Sequence, residues 1–163
     1  IALGSNLGNS RQILNDALDT LHNLPQITVT ARSSLYETAP VGPPQPDYLN
    51  CCALLATDLP IDQVLQTLLQ VEQGFGRVRR ERWGPRRLDL DLIFYGQQVL
   101  TTPTLEVPHP RFRERAFVLA PLAEIAPDWP DPVTGKSVQA LWQAVDPAGV
   151  RRLQVKNGDR QVQ

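Results

Sequence analysis

Cysteine is almost absent from this chain of 163 residues: Cys51 and Cys52 are the only two, and they are adjacent. No disulfide framework can tie distant segments together, and no zinc-ligand spacing exists. Lysine occurs only as Lys136 and Lys156, and no Walker-type glycine loop with Lys is present. No apolar run approaches the roughly 18 residues of a membrane helix. Ile1-Ala2-Leu3-Gly4 is too short and too uncharged for a secretory leader, so a cytoplasmic protein without a membrane partner is expected. Methionine is missing altogether, a start Met included, and the chain is therefore expected to begin downstream of its encoded start. Neither sign of charge is in excess, since 16 Lys plus Arg face 17 Asp plus Glu. No bulk attraction to nucleic acid or anionic lipid follows, and any charge effect must be local.

What is present suffices for one sizeable core, with 42% of residues hydrophobic. We read residues 1–163 as one domain, its core over about 1–146 and a polar tail beyond. Ile1–Leu3 forms a short strand that meets a glycine turn. Ser10 then caps a helix over about 11–23, whose Ile13, Leu14, Ala17, Leu18 and Leu21 make one buried stripe. Alternation from Ile27 to Tyr36 predicts a single long strand paired with Tyr48–Thr57. Between them, residues 38–47 hold four prolines and Gly42, a surface loop too short and too proline-rich for a helical crossover. A second helix starts after Pro60 and stops at Gly74 and Gly76. Residues 77–87 carry six arginines, Trp83 and one acid, Glu81, and read as a charged loop. Leu88–Tyr95 alternates as a strand, with Leu88, Leu90, Leu92 and Phe94 on one side and Asp89, Asp91, Ile93 and Tyr95 on the other. Short helices over about 116–125 and 137–145 and a minor strand over 150–155 complete an α+β fold with helices packed on a mostly antiparallel sheet.

The chemistry concentrates around that strand. Asp89 and Asp91 leave the same face with Cα atoms about 6.5–7 Å apart, a spacing from which two carboxylates can share Mg²⁺ ions whose remaining ligands are phosphate oxygens and water. An arginine-rich segment joins directly onto them, and guanidinium groups bind phosphate oxygens in bidentate fashion at any working pH. Acid pair plus arginines suits a metal-bridged polyphosphate. Tyr48 and Asn50 share a strand face after the proline loop, a ring beside an amide that suits a planar, hydrogen-bonding heterocycle. No Ser or Cys nucleophile stands beside a base, which fits a transfer that relies on alignment and charge neutralisation.

Arg82-Trp83-Gly84-Pro85-Arg86-Arg87-Leu88-Asp89-Leu90-Asp91 resembles the signature of the 6-hydroxymethyl-7,8-dihydropterin pyrophosphokinases of folate biosynthesis. Gly4-Ser5-Asn6-Leu7, Pro46-Asp47-Tyr48-Leu49-Asn50, Gly76-Arg77-Val78-Arg79, Val107-Pro108-His109 and Arg115-Ala116-Phe117 follow in the family's order over about residues 1–130. The resemblance implies a ferredoxin-like fold and diphosphate transfer from ATP to the pterin hydroxymethyl group, with AMP released. It implies that Asp89 and Asp91 hold two Mg²⁺ ions and that Arg77 and Arg86 are catalytic. It further implies that Glu72, Arg79, Arg82, Trp83, His109 and Arg115 bind ATP, that Thr38, Val41, Tyr48, Asn50 and Phe117 bind the pterin, and that the loops over about 38–47 and 76–87 close over the substrates. Small-molecule partners and a monomer are expected. The chain departs from better-known members at Thr104, Glu106 and Pro110, near the expected adenosine end.

Two other readings compete. The arginine loop, Trp83 and Tyr48 could hold single-stranded RNA on an open sheet, although the two acids on the same face argue against it. A different Mg²⁺-dependent nucleotidyl enzyme would use the same residues.

Overall fold

The computed structural model describes residues 1–39, 44–76 and 87–153. It contains β1 (Ala2–Ser5), α1 (Ser10–His22), β2 (Ile27–Arg32), β3 (Tyr36–Thr38), β4 (Tyr48–Thr57), α2 (Ile61–Gly74) and β5 (Asp89–Asp91). The small pair β6 (Leu100–Thr101) and β7 (Glu106–Val107), a 3-10 turn at Phe112–Glu114, α3 (Ala116–Ile125), α4 (Val138–Ala144) and β8 (Val150–Arg152) follow. The main sheet runs β5–β1–β4–β3–β8 with β2 also on β4, and each of these pairings is antiparallel. With α1 after β1 and α2 after β4, this is the ferredoxin-like α+β arrangement expected.

Helices cover both faces. On one, Leu3, Cys51, Ala53 and Leu90 meet Leu14, Leu18 and Leu21 of α1 and Val64 and Leu68 of α2. The predicted stripe of α1 is the buried one, Ile13, Leu14, Ala17, Leu18 and Leu21, and each leucine buried there contributes roughly 1.5–3 kcal/mol. On the other face Ala2, Cys52 and Ile93 meet Val118, Leu119 and Leu122 of α3 and Leu141 of α4. Helix α3 is buried over six consecutive residues, Val118–Ala123, because it lies between the sheet and α4.

The departures from expectation have local causes. The cap of α1 is Asn9, whose side chain accepts from the Gln12 N–H, so Ser10 is already helical. The predicted strand 27–36 is two strands. A bulge sets Val29 against Leu55 but Ala31 against Leu54, and the Ser33 hydroxyl takes the Cys52 N–H at 2.9 Å in place of a backbone carbonyl. The predicted strand 88–95 pairs only over Asp89–Asp91. Beyond it the Ile93 carbonyl accepts from His109 N–H, and without a neighbouring strand the alternation lapses: Phe94 packs on the α3 side and Tyr95 on the α1 side. The hairpin of β6 and β7 and the 3-10 turn were not anticipated. The predicted minor strand is seen as β8 on β3; its residues from 154 on lie outside the described ones. No described helix is long and apolar enough to cross a membrane.

Candidate active site

Strand register decides which side chains can meet. Gly4 lies opposite Asn50 on one side and Asp89 on the other, and Ala2 lies opposite Cys52 and Asp91. Tyr36 pairs with Asn50 and Thr38 with Tyr48. Directly paired residues project to the same face, so Thr38, Tyr48, Asn50, Asp89 and Asp91 all stand on the side that packs α3.

Helix α3 crosses that face without covering all of it. Its leading end stands by Asp91, whose charge is felt at Arg115. Its middle passes over Cys52, whose thiol reaches the Val118 carbonyl at 3.6 Å. Its far end is held by Glu124, which accepts from Tyr36 Oη at 2.8 Å and from Ser34 N–H and Oγ at 2.9 and 3.1 Å. Burial first, and then the Glu124 carboxylate, push the Tyr36 hydroxyl pKa up, so it stays a proton donor. One row along the strands stand Asp89, Gly4 and Asn50.

The residues expected to meet the heterocycle are tied to their neighbours. Asn50, 6% exposed, donates from Nδ2 to Thr38 Oγ1 at 3.0 Å. A Cβ on Gly4 would stand 3.0 Å from Asn50 Oδ1 and 3.9 Å from Tyr48 Cδ1, so glycine is what lets this amide sit against β1. Asn6, 2% exposed, donates from Nδ2 to Gln45 Oε1 at 2.8 Å and to the Pro46 carbonyl at 2.9 Å, fastening the approach to β4 onto the end of β1. Phe117 is partly buried in the first turn of α3, with the Arg115 guanidinium 5.6 Å from its ring centroid.

The acid pair is braced from behind. β5 is the edge of the sheet, and the Leu90 N–H between the two aspartates goes to Glu72 Oε2 of α2 at 3.1 Å. Glu72 is itself 3% exposed, so it meets the site through this strand. Arg87, at the foot of the arginine segment, runs between two glycines of positive φ. A Cβ on Gly8 would come 3.8 Å from its Cζ, and one on Gly76 would come 3.5 Å from its Cδ. Arg77, Arg79, Arg82, Trp83, Arg86 and Val41 lie outside the described residues.

At the remaining end, His109 follows the cis Val107–Pro108 peptide. Its Nδ1 accepts from the Arg111 N–H at 3.2 Å, which leaves the ring proton on Nε2. Burial first, and then Arg115, lower its pKa to about 4, so it is neutral at physiological pH and offers a hydrogen bond instead of a charge. Thr104 and Glu106 are exposed at the turn and second strand of the small hairpin.

Among the described residues no cluster of three or more His, Cys, Asp and Glu side chains forms a metal cage. Two partly exposed carboxylates, Asp89 and Asp91, suit instead an ion that completes its shell with phosphate and water, as Mg²⁺ does. A hollow of about 760 Å³ lies on the opposite side between α1 and α2, lined by Leu24, Ile27, Leu59, Val71 and Phe75 among others. Its lining carries no ionisable group, so the chemistry is not there.

Residues 1–127 match the model of the 7,8-dihydro-6-hydroxymethylpterin-pyrophosphokinase family. The chain belongs to that family. It is 50% identical to the 2-amino-4-hydroxy-6-hydroxymethyldihydropteridine pyrophosphokinase of a Synechocystis strain over 90% of this chain and 75% of that protein. To the protein of the same name from Pseudomonas aeruginosa it is 44% identical over 94% of each chain, and to that of Bacillus subtilis 42% identical over 97% and 91%. The row Asp89–Gly4–Asn50 sets the two expected roles, acid and amide, two strands apart on one face of the sheet. Asn6, Gly4 and the support from Glu124 gave no chemical signal in the sequence, because their partners lie 39 to 90 residues away. Arg113 and Asp131, 18 residues apart, escaped notice as well.

Proposed function

We propose that this chain transfers diphosphate from ATP to the hydroxymethyl group of 6-hydroxymethyl-7,8-dihydropterin, releasing AMP, as a step of folate biosynthesis. The observation that carries the reading is the register that sets Asp89 and Asn50 on either side of Gly4. The pterin stacks with Tyr48 and Phe117, and Asn50, already oriented by Thr38, meets its polar edge together with Thr38 and Val41. The hydroxymethyl group then points along the row towards Asp89 and Asp91. Its oxygen bonds to the β-phosphorus of ATP, the bond from that phosphorus to the oxygen bridging the α- and β-phosphates breaks, and AMP leaves with the bridging oxygen. The hydroxyl proton passes to solvent.

Asp89 and Asp91 would hold two Mg²⁺ ions, and Glu72 keeps the strand between them in place through Leu90. Bound Mg²⁺ supplies charge neutralisation on the phosphate oxygens. His109 donates from Nε2 to a phosphate oxygen, Arg115 adds charge beside Asp91, and Arg79, Arg82 and Trp83 complete the ATP contacts. Arg77 and Arg86 act on the transferring group and are drawn in with their loop, which excludes water. The whole of 1–163 works as one catalytic unit, monomeric and cytoplasmic, where ATP and reduced pterin meet.

Incubation with ATP, Mg²⁺ and the reduced pterin tests this by the nucleotide released. AMP in step with pterin diphosphate is the expected result. ADP would mark an ordinary kinase. Inactivity combined with salt-sensitive RNA binding would restore the RNA reading.

A further inference from the structure

Behind the nucleotide end lies an ion pair of a buried carboxylate and a partly exposed guanidinium, to which the reaction assigns no part. Asp131 is 0% exposed. Its carboxylate takes Arg113 Nε at 2.5 Å and Nη2 at 2.9 Å, the Val133 N–H at 3.0 Å and the Thr134 hydroxyl at 2.8 Å. Burial pushes this carboxyl up, but the Arg113 fork and the two further donors outweigh it and hold the pKa at about 2. An apolar pair of similar volume stabilises a core as well as a buried ion pair does or better, so such a pair is weak evidence for stability and stronger evidence for a fixed geometry.

The geometry it fixes is that of the 3-10 turn. Phe112, fully buried, meets Phe94 edge-on at 5.0 Å, and Phe94 stacks on Trp129 at 5.9 Å, two residues before Asp131. Backbone bonds between Asp131 and both Gly135 and Lys136 close the far side. With Phe112 and Arg113 both held, the turn can neither roll nor slide. Its two ends carry the site groups: His109, with its N–H on Ile93, and Arg115, with its N–H on the Phe112 carbonyl.

We propose that Asp131 is a positioning residue for ATP, which by clamping Arg113 fixes the turn that presents His109 and Arg115 to the phosphates. The proposal rests on reading residues 109–115 as the nucleotide end.

Asp131→Asn and Arg113→Lys are compared with His109→Ala and Arg115→Ala in the full chain, each confirmed folded at the assay temperature by circular dichroism. Asp131→Asn keeps the volume and one acceptor oxygen, and Arg113→Lys keeps the charge without the fork, so either alone suffices should the other fail to fold. Expected is a rise of about tenfold in KM for ATP in both, with KM for the pterin within about twofold and kcat less affected. The double variant should be no worse than the poorer single, because both changes break one contact. Equal rises in both KM values, or an unchanged KM for ATP while His109→Ala and Arg115→Ala are impaired, would overturn the positioning role and leave the nucleotide reading standing. An ATP KM unmoved by His109→Ala and Arg115→Ala would sink that reading and the proposal with it.

Discussion

The two faces of the sheet are made of alternate residues from the same strands, yet they do opposite things. Leu3, Cys51 and Leu90 face α1 and α2 and are at most 5% exposed. Their immediate neighbours Gly4, Asn50, Asp89 and Asp91 face the side where α3 covers only part of the sheet. A strand therefore carries a stabilising residue and a reactive one at adjacent positions without compromise, since a side chain on one face has no packing consequence on the other. The candidate residues share the α3 side of the sheet, where Asp89 and Asp91 are partly exposed and Asn50 is buried.

The sharpest way to break this comparison is at β5. Asp89→Ala and Asp91→Ala should each lower turnover by about 10³-fold or more, with little change in unfolding free energy. Leu90→Ala, between them, should cost about 2–4 kcal/mol in stability while keeping most of the turnover at a temperature where it is folded. Denaturant melts paired with AMP-release rates measure both, and a folded but inactive Leu90→Ala would show that the faces are coupled.

A smaller effect is expected at Gly4. Gly4→Ala places a Cβ 3.0 Å from Asn50 Oδ1, so the amide must give by a few tenths of an ångström. KM for the pterin should rise about tenfold with KM for ATP unchanged; the reverse split would put the heterocycle elsewhere.

Acid titration sharpens the contrast further, because the α3 side holds the fully buried carboxylate of Asp131. The carboxyl of Asp131 titrates at about 2 in the fold against 3.8 ordinarily. Its contribution of about 2 kcal/mol is thus fully present above the unfolded value and lost as pH falls through about 2. Asp131→Asn should cost that much at neutral pH and nothing near pH 2. A second titration is at His109, where the shift runs against folding. Held at about 4 against 6.5 ordinarily, it binds its proton more readily in the unfolded chain, so stability falls as pH drops from 6.5 to 4. His109→Gln should flatten that stretch of the stability curve by up to about 3 kcal/mol.

What the sequence made legible were features with a local period. The stripe of α1, the two strands of opposite-facing residues at 48–57 and 89–91, and the Asp-Leu-Asp pair all follow from spacings of two, three or four residues. Three kinds of feature were not legible. The bulge at Val29–Ala31 leaves the apolar alternation intact, so nothing announces that the strand breaks before Tyr36. The 3-10 turn buries Phe112 in a stretch of charged residues with no repeat. The supports of the site, Asn6 on Pro46, Glu124 on Tyr36 and Asp131 on Arg113, are single polar contacts between distant segments, and one polar residue among many carries no pattern. The fold was thus readable, and the single polar contacts between distant segments were not.

Cys51 and Cys52 turn the two-faced sheet into a reporter of its own opening. Neither thiol is more than 1% exposed, and burial raises both, Cys52 to about 12 and Cys51 upwards as well, so in the closed molecule neither is a usable thiolate for alkylation. A maleimide or iodoacetamide reagent can therefore react only through excursions that lift a helical layer. Because Cys51 lies under α1 and α2 and Cys52 under α3 and α4, the adduct mapped by peptide mass would say which layer detached first, with two adjacent atoms keeping separate clocks for the two halves of the molecule.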